Sequence, residues 1–419
     1  MTTRLAQRLE VIQPSATLAV SARAAALRAE GRTIFPFGVG EPDFDTPAHI
    51  CAAAKEAIER GAHRYTNVSG TVELRRAIAE SSSKARGVAC TPEQVVVAVG
   101  AKHALFNLAL TLYEAGDEVV IPAPYWVSYP EQVRIVGAEP VIVETREADN
   151  FLLTASALQS ALSARTKAVI LCTPSNPTGS AYSEGALREI LSVLEHHDCW
   201  LIVDEIYASL VYDGFRSISA LALASPAMRE RIIVVDGVSK AYAMTGWRIG
   251  WSIAPKAVSR ALDVVQSQST TNATAVAQTA AAVALASDQS CVEAMRKTFE
   301  ARRNRMVAAH NRISGMRCRL PEGAFYAFAD VTGLYGLATP HAACSRIADD
   351  LDVAKFFIEE AGVAAVPGSA FGAPGYMRFS YATSEDIIDR GIGSISAAVE
   401  RAISRQGRQS VQHPAAGSG

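Results

Sequence analysis

The chain has 419 residues, 49% hydrophobic and 20% charged, a balance that suits a folded globular protein and excludes a disordered one. Its 40 basic residues against 42 acidic ones leave a net charge of −2 without any basic block, so nucleic acid is not an expected partner. The 7 cysteines are scattered with no CxxC pair and the 8 histidines lack ligand spacing, which excludes a disulfide framework or metal site and suits free thiols in a reducing cytoplasm.

The first residues, Met1 to Arg8, lack the apolar core of a signal peptide. The most apolar stretch, Ala273 to Ala286, is interrupted by Thr274, Gln278 and Thr279 and is too short to span a bilayer. A soluble, cytoplasmic protein with no membrane contact is expected. Residues 15–30 carry helical spacing, and Phe35-Pro36-Phe37-Gly38-Val39-Gly40 then breaks into an irregular segment. Its glycines read either as backbone approaching a ligand or as an ordinary turn. Helix signals resume from Pro47 to Arg60 and from Thr71 to Ala85.

Val95 to Val99 reads as a strand, and Gly100-Ala101-Lys102 leads straight into a helix. Such a junction aims backbone N–H groups at an anion. Lys102 strengthens the point, because a cation at a helix N-terminus is unfavourable unless an anion offsets it. Further strand-length apolar runs are Val119 to Ile121, Val141 to Val143, Ala168 to Cys172, Trp200 to Val203 and Ile232 to Val235. Amphipathic segments such as Ser183 to His197 lie between several of them. The fold class is therefore α/β, with a mostly parallel sheet covered by helices on both faces. Ligands of such sheets lie beyond the carboxyl ends of the strands, so Gly100 to Lys102, Tyr125-Trp126, Asn176, Asp204, Tyr207 and Lys240 are expected to converge.

From Met295 to Ile313 a basic helix follows, its charges read as a solvated face. Strands at Gly323 to Phe328, Val363 to Gly368 and Met377 to Tyr381, with a helix from Leu351 to Ala361, then form a smaller α+β unit. The expected division is a small domain from both chain ends (1–48 and 308–404), a large domain at 49–307 and a disordered tail at 405–419.

The most informative stretch runs from Gly237 to Gly250, Gly-Val-Ser-Lys-Ala-Tyr-Ala-Met-Thr-Gly-Trp-Arg-Ile-Gly. It sets Lys240 just past a strand among small residues, where an ε-amine can form a Schiff base with an aldehyde, and Arg248 can hold an anionic handle of the same molecule. Alone, Lys240 would pass for a solvated loop lysine. The stretch, however, resembles the lysine signature of the class I pyridoxal-phosphate aminotransferases. The resemblance runs from about Pro14 to about Ser384. Through Pro14-Ser15-Ala16-Thr17, Gly40-Glu41-Pro42-Asp43-Phe44 and Tyr125-Trp126 it is closest to the bacterial aspartate (aspartate/prephenate) aminotransferase branch.

That resemblance implies the fold of the type I pyridoxal-phosphate enzymes, pyridoxal 5'-phosphate as cofactor, and Lys240 as both its anchor and the catalytic proton carrier. It implies that Asp204 pairs with the pyridine nitrogen and that Asn176 and Tyr207 bond the phenolic oxygen. Gly100, Ala101, Lys102 and Arg248 are implied to cradle the phosphate, with Tyr65 arriving from the second subunit of a homodimer. Trp126 is implied to lie over the ring, and Arg378 to bind the substrate α-carboxylate near Gly40 and Asn176. Each has a structural alternative: Asp204 as a capping carboxylate, Asn176 as a turn residue, Trp126 as a core aromatic, Arg378 as a salt-bridged arginine.

The implied reaction is ping-pong transfer of an amino group between L-aspartate or L-glutamate and 2-oxo acids. No lysine or arginine occurs from Ala261 to Met295 to meet a second carboxylate. The branch resembled here uses instead a lysine matching Lys102, with hydroxyls matching Ser15 and Thr17. Members that aminate prephenate tend to carry a lysine where this chain has Gln13. The alternatives are a prephenate or aromatic aminotransferase, or another pyridoxal-phosphate enzyme of amino-acid biosynthesis on the same scaffold. An aminotransferase-like transcription regulator is not expected, since the likeness begins near Pro14.

Overall fold

The computed structural model describes residues 5–14, 16–339 and 346–412, with side chains described as far as 406. In chain order the strands are β1 (Phe35–Pro36), β2 (Val95–Ala98), β3 (Glu118–Ala123), β4 (Glu139–Glu144), β5 (Thr166–Cys172), β6 (Trp200–Asp204), β7 (Ile232–Gly237), β8 (Gly250–Ile253), β9 (Arg317–Cys318), β10 (Tyr326–Asp330), β11 (Val363–Ala364), β12 (Val366–Pro367) and β13 (Tyr376–Ser380). The first five helices are α1 (Ala16–Ala29), α2 (Ala48–Glu59), α3 (Val72–Arg86), α4 (Ala101–Leu112) and α5 (Ser128–Ile135).

Seven strands make the main sheet in the order β2-β8-β7-β6-β5-β3-β4. Every neighbouring pair is parallel except those of β8, which runs antiparallel to β2 and β7. The apolar strands alternate between two cores. Val169, Leu171, Val203 and Val234 face one side, and Ala168, Ile170, Ile202, Ile233 and Val235 face the other. Each such side chain contributes on the order of 2 kcal/mol by leaving water, so neither face can stay uncovered. The alanine-rich helix Ala275–Ala286 packs on α2 and α3, its small side chains allowing close approach. No helix among the described residues is long and apolar enough to cross a membrane.

Sequence patterning did not reveal β8, because Gly-Trp-Ser-Ile is short and half composed of weak strand formers. Gly250 is nonetheless required there. A Cβ on it would lie 2.2 Å from the Ala101 backbone nitrogen, so glycine lets β8 pass directly beside the start of α4.

The smaller unit is built on the antiparallel sheet β12-β13-β10-β9. Its core gathers Phe37, Phe299, Phe325, Phe357, Phe379 and Tyr381. The N-terminal segment joins it through the parallel pair β1–β11 and through Ser380 N–H donating to Phe37 C=O at 2.7 Å. Helix Ser290–His310 runs through the expected 307/308 boundary, so one helix serves both units. Its basic residues are not all solvated, contrary to expectation. Arg303 is buried, pairing with Asp213 at 2.7 Å and donating to Pro321 C=O at 2.8 Å, and Arg302 is buried and paired with Asp43 at 2.7 Å. The tail expectation also needs correction. The last helix, Glu385–Gln412, takes in 405–412, because nothing before Pro414 stops it; 413–419 lie outside the described residues.

Candidate active site

A cavity of about 260 Å³ opens at the carboxyl ends of the parallel strands. Asp204 ends β6 and Tyr207 follows it; Lys240 follows β7, Asn176 follows β5, Trp126 follows β3, and Ala101-Lys102 follow β2. Arg248, entering β8, closes one side, and Gly40, Thr17 and Arg378 come in from the terminal segments. Gly100 lies just behind, against Arg248. Tyr125, expected to converge here, does not line this wall, and neither does Tyr65, which is 87% exposed on the surface; Ser15 lies outside the described residues.

Asp204 is buried, with Oδ2 accepting from the Tyr129 hydroxyl at 2.8 Å and Oδ1 from the Ile206 N–H at 3.1 Å. Among the described residues no lysine or arginine pairs with it. Burial pushes its carboxyl up to about 6, against the pull of these two hydrogen bonds. Lys240 donates to Gly40 C=O at 2.8 Å. Burial pulls its ammonium down to about 8; Glu41 opposes this, while Arg248 and Arg378 add to it. An amine in that range is an available nucleophile and base near neutral pH.

On the opposite wall, Gly100 adopts φ +83, and a Cβ there would sit 2.5 Å from Arg248 Nη2. Glycine thus permits both the turn and the close approach of the guanidinium. Arg248 itself holds φ +58, a strained left-handed conformation for a side chain of its size. It is tied by Nη1 donating to Thr245 C=O at 2.8 Å. In the first turn of α4 the His103 and Ala104 N–H groups donate to Gly100 C=O at 3.0 and 3.2 Å, which leaves those of Ala101 and Lys102, beside Arg248, to make an anion cradle.

Arg378 is buried on β13 with no carboxylate partner among the described residues. Nη1 donates to Asn176 Oδ1 and Nη2 to Gly38 C=O, both at 2.8 Å, while Nε is buried without an acceptor. The rings of Tyr326 and Phe371 lie 4.5 and 5.0 Å away, and burial holds the guanidinium below its ordinary pKa. The salt-bridged alternative is therefore absent, and an uncompensated buried cation faces the cavity. Lys102 stands at the mouth with Nζ 4.9 Å from the Trp126 ring centroid. Desolvation, then the nearby Arg248, holds its ammonium below the ordinary value.

Two further residues belong here that sequence reasoning missed. Tyr129 bonds Asp204 and meets Trp126 edge-on at 5.3 Å. Its position three residues after Trp126, on the same face of a helical turn, was the available signal. Tyr326 shares a 2.9 Å hydrogen bond with the Tyr207 hydroxyl, which couples the small sheet to the end of the large one. Nothing in its aromatic strand distinguished it from core.

A model of the family described as aminotransferase class I and II matches residues 32–395. A curated aspartate aminotransferase of Rhizobium meliloti is 44% identical over 399 residues, covering 95% of this chain and 97% of that one. An aspartate/prephenate aminotransferase of Nitrosomonas europaea is 42% identical over 395 residues, covering 94% and 99%. Among solved structures, the Rhizobium meliloti aspartate aminotransferase superposes with a TM-score of 0.91 at 44% identity, covering 95% and 99%. The Thermus thermophilus aspartate aminotransferase with maleate superposes with 0.88 at 38%, covering 95% and 100%. With its family signature, its fold and a lysine-centred cavity at the strand ends in agreement, the chain belongs to the class I and II aminotransferases, enzymes that depend on pyridoxal phosphate.

Proposed function

We propose that this chain is an aspartate aminotransferase, moving the amino group between L-aspartate or L-glutamate and 2-oxo acids. The observation that carries the proposal is Arg378, a buried guanidinium without a carboxylate partner, set to take a substrate α-carboxylate as a planar fork. Lys102, at the other side of the cavity and also without a carboxylate, is the candidate for the distal one. A Thermus thermophilus relative solved with maleate, a dicarboxylate, supports the same choice. Curated relatives named aspartate/prephenate aminotransferases keep prephenate as the second reading.

The residues present fit pyridoxal phosphate. Asp204, a buried carboxylate held only by neutral donors, would pair with the ring nitrogen. Gly100, Ala101, Lys102 and Arg248 would hold the phosphate at the start of α4. Asn176 and Tyr207 would bond the phenolic oxygen, and Trp126 would cover the ring. Tyr65, exposed on this protomer, would reach the phosphate site of a second copy in a homodimer. When bound, the cofactor supplies an electron sink for negative charge at the substrate Cα.

The chain's own share is binding, orientation and proton movement. Arg378, with Asn176 and the Gly38–Gly40 backbone, fixes the amino acid by its carboxylate, which aligns Cα toward Lys240. Lys240 Nζ, with its pKa lowered mainly by burial, takes the proton from Cα and gives it back. Burial alone pushes the Asp204 carboxyl up to about 6, and a cationic ring nitrogen beside it would favour its anionic form. The test is to add single amino acids to the purified holoenzyme and follow the cofactor's visible absorption. A change with aspartate and glutamate but not with phenylalanine supports the proposal, and the reverse pattern overturns the substrate assignment.

A further inference from the structure

Glu205, next after Asp204, turns away from the cavity into a buried ionic cluster that the proposed chemistry does not use. Its Oε1 accepts from the Ser219 hydroxyl at 2.6 Å and its Oε2 from Arg86 Nε at 2.8 Å, with Arg86 Nη2 in ion-pair contact at 2.7 Å. The same Nη2 lies 3.0 Å from Asp236 Oδ2. Asp236 follows Val235, the β7 residue paired with Asp204 across the sheet. Three carboxylates are thus gathered at two adjacent strand ends. Among the described residues, Arg86 is the only cation paired with any of them. It is delivered for that purpose: Thr71 caps α3 at one end, Gly87 in a left-handed conformation ends it at the other, and the last turn directs an 8%-exposed side chain under the sheet.

We propose that Arg86 is a positioning residue for the reaction: by neutralising Glu205 and Asp236, it allows Asp204 to remain an anion for the cofactor's ring nitrogen. The inference rests on the role proposed above for Asp204. Its physical basis is that buried like charges raise one another's proton affinity. Burial pushes both Asp204 and Asp236 up to about 6; Asp236 adds to the rise at Asp204, Glu205 adds to the rise at Asp236, and Arg86 opposes the rise at Asp236. The other titratable groups facing Asp204 are the Tyr129 phenol on α5, the Cys172 thiol ending β5, and Lys240 beyond β7. The two neutral ones stay protonated at working pH because burial raises them, and Lys240 acts from the cavity side. Arg86 is therefore the positive charge on the far side.

The test uses apoprotein carrying carboxyl-¹³C aspartate, with the Asp204 signal assigned by its loss in Asp204→Asn. Asp236→Asn keeps the shape and removes the negative charge that raises Asp204, so the Asp204 midpoint is expected to fall by on the order of one pH unit. Arg86→Met is expected to raise it by a similar amount, and the double variant to return it toward the wild-type value. The acid limb of pyridoxal-phosphate affinity, read by fluorescence titration of the same apoproteins, should move in parallel. If Arg86→Met does not fold, Asp236→Asn decides the question. An unchanged Asp204 midpoint, with only thermal stability altered, overturns the proposal and leaves a structural ion pair. Apoprotein that binds no pyridoxal phosphate in any variant refutes the proposed function instead, and the carboxyl titration then judges Arg86 by itself.

Discussion

Lys102→Ala tests the dicarboxylate assignment, because it removes one charge at the mouth and leaves Arg378 in place. Lys102 packs beside Arg248, a second cation, with no carboxylate paired to it among the described residues. Its free charge is therefore available to a ligand. At about 4 Å, a unit charge pair is worth about 4 kcal/mol at an effective dielectric of 20 and about 1 kcal/mol in bulk water. A lysine at an open mouth falls between these limits, which agrees with about 1.5–3 kcal/mol for a charge-assisted hydrogen bond. The expected loss in kcat/KM for aspartate and 2-oxoglutarate is therefore about 10- to 150-fold, mostly through KM. Phenylalanine, lacking the second carboxylate, should lose only what the cation–ring contact with Trp126 provides, about threefold for roughly 0.5–1 kcal/mol at an exposed site. Steady-state kinetics with each substrate, cofactor in excess, measures the difference. An equal fall for aspartate and phenylalanine would show that Lys102 serves only the phosphate.

Lys240→Ala should abolish transamination while leaving a folded protein; borohydride reduction of the wild type followed by peptide mapping should place the label on Lys240, and a label on Lys102 would contradict the site. Asp204→Ala should lower activity far more than stability, by at least the roughly 1.5–3 kcal/mol of a charged hydrogen bond, and near-normal turnover would show that Asp204 has another task. Light scattering should find a homodimer; an active monomer would rule out a contribution from Tyr65 of a second copy. The fully buried His310, neither ring nitrogen hydrogen-bonded, has its pKa depressed by burial to about 3. A folded-state pKa below the unfolded value means that its contribution is complete above about pH 6.5 and is lost as pH falls toward 3. Between pH 7 and 5 the apoprotein should lose about 2 kcal/mol from this group. Urea unfolding of His310→Leu should show that dependence removed, and an unchanged slope would refute the assignment.

The main sheet was legible because its strands are apolar runs separated by amphipathic helices, and burial on both faces permits little else. The strand ends then indicated where Asp204, Lys240 and Asn176 would meet. What patterning misjudged were residues whose environment comes from distant segments. Arg303 reads as a solvated helix charge, yet Asp213 and the Pro321 carbonyl draw it into the core. Tyr326 reads as core, yet its hydroxyl meets Tyr207. The polar run from 405 to 412 resembles a disordered tail in composition, yet it continues the last helix to Gln412.

By itself, then, the sequence determined the α/β class, the parallel strands of the main sheet, and the lysine signature with its family, since each rests on local periodicity or on contiguous residues. Only the tertiary structure decided that Arg378 has no carboxylate to pair with, that Tyr129 holds Asp204, and that Arg86 reaches under the sheet to Glu205 and Asp236. Those partners lie 202, 75, 119 and 150 residues apart for Arg378–Asn176, Tyr129–Asp204, Arg86–Glu205 and Arg86–Asp236. The physical reason is that a side chain's charge state depends on what surrounds it in space, and at such separations the chain's own pattern carries no record of those neighbours.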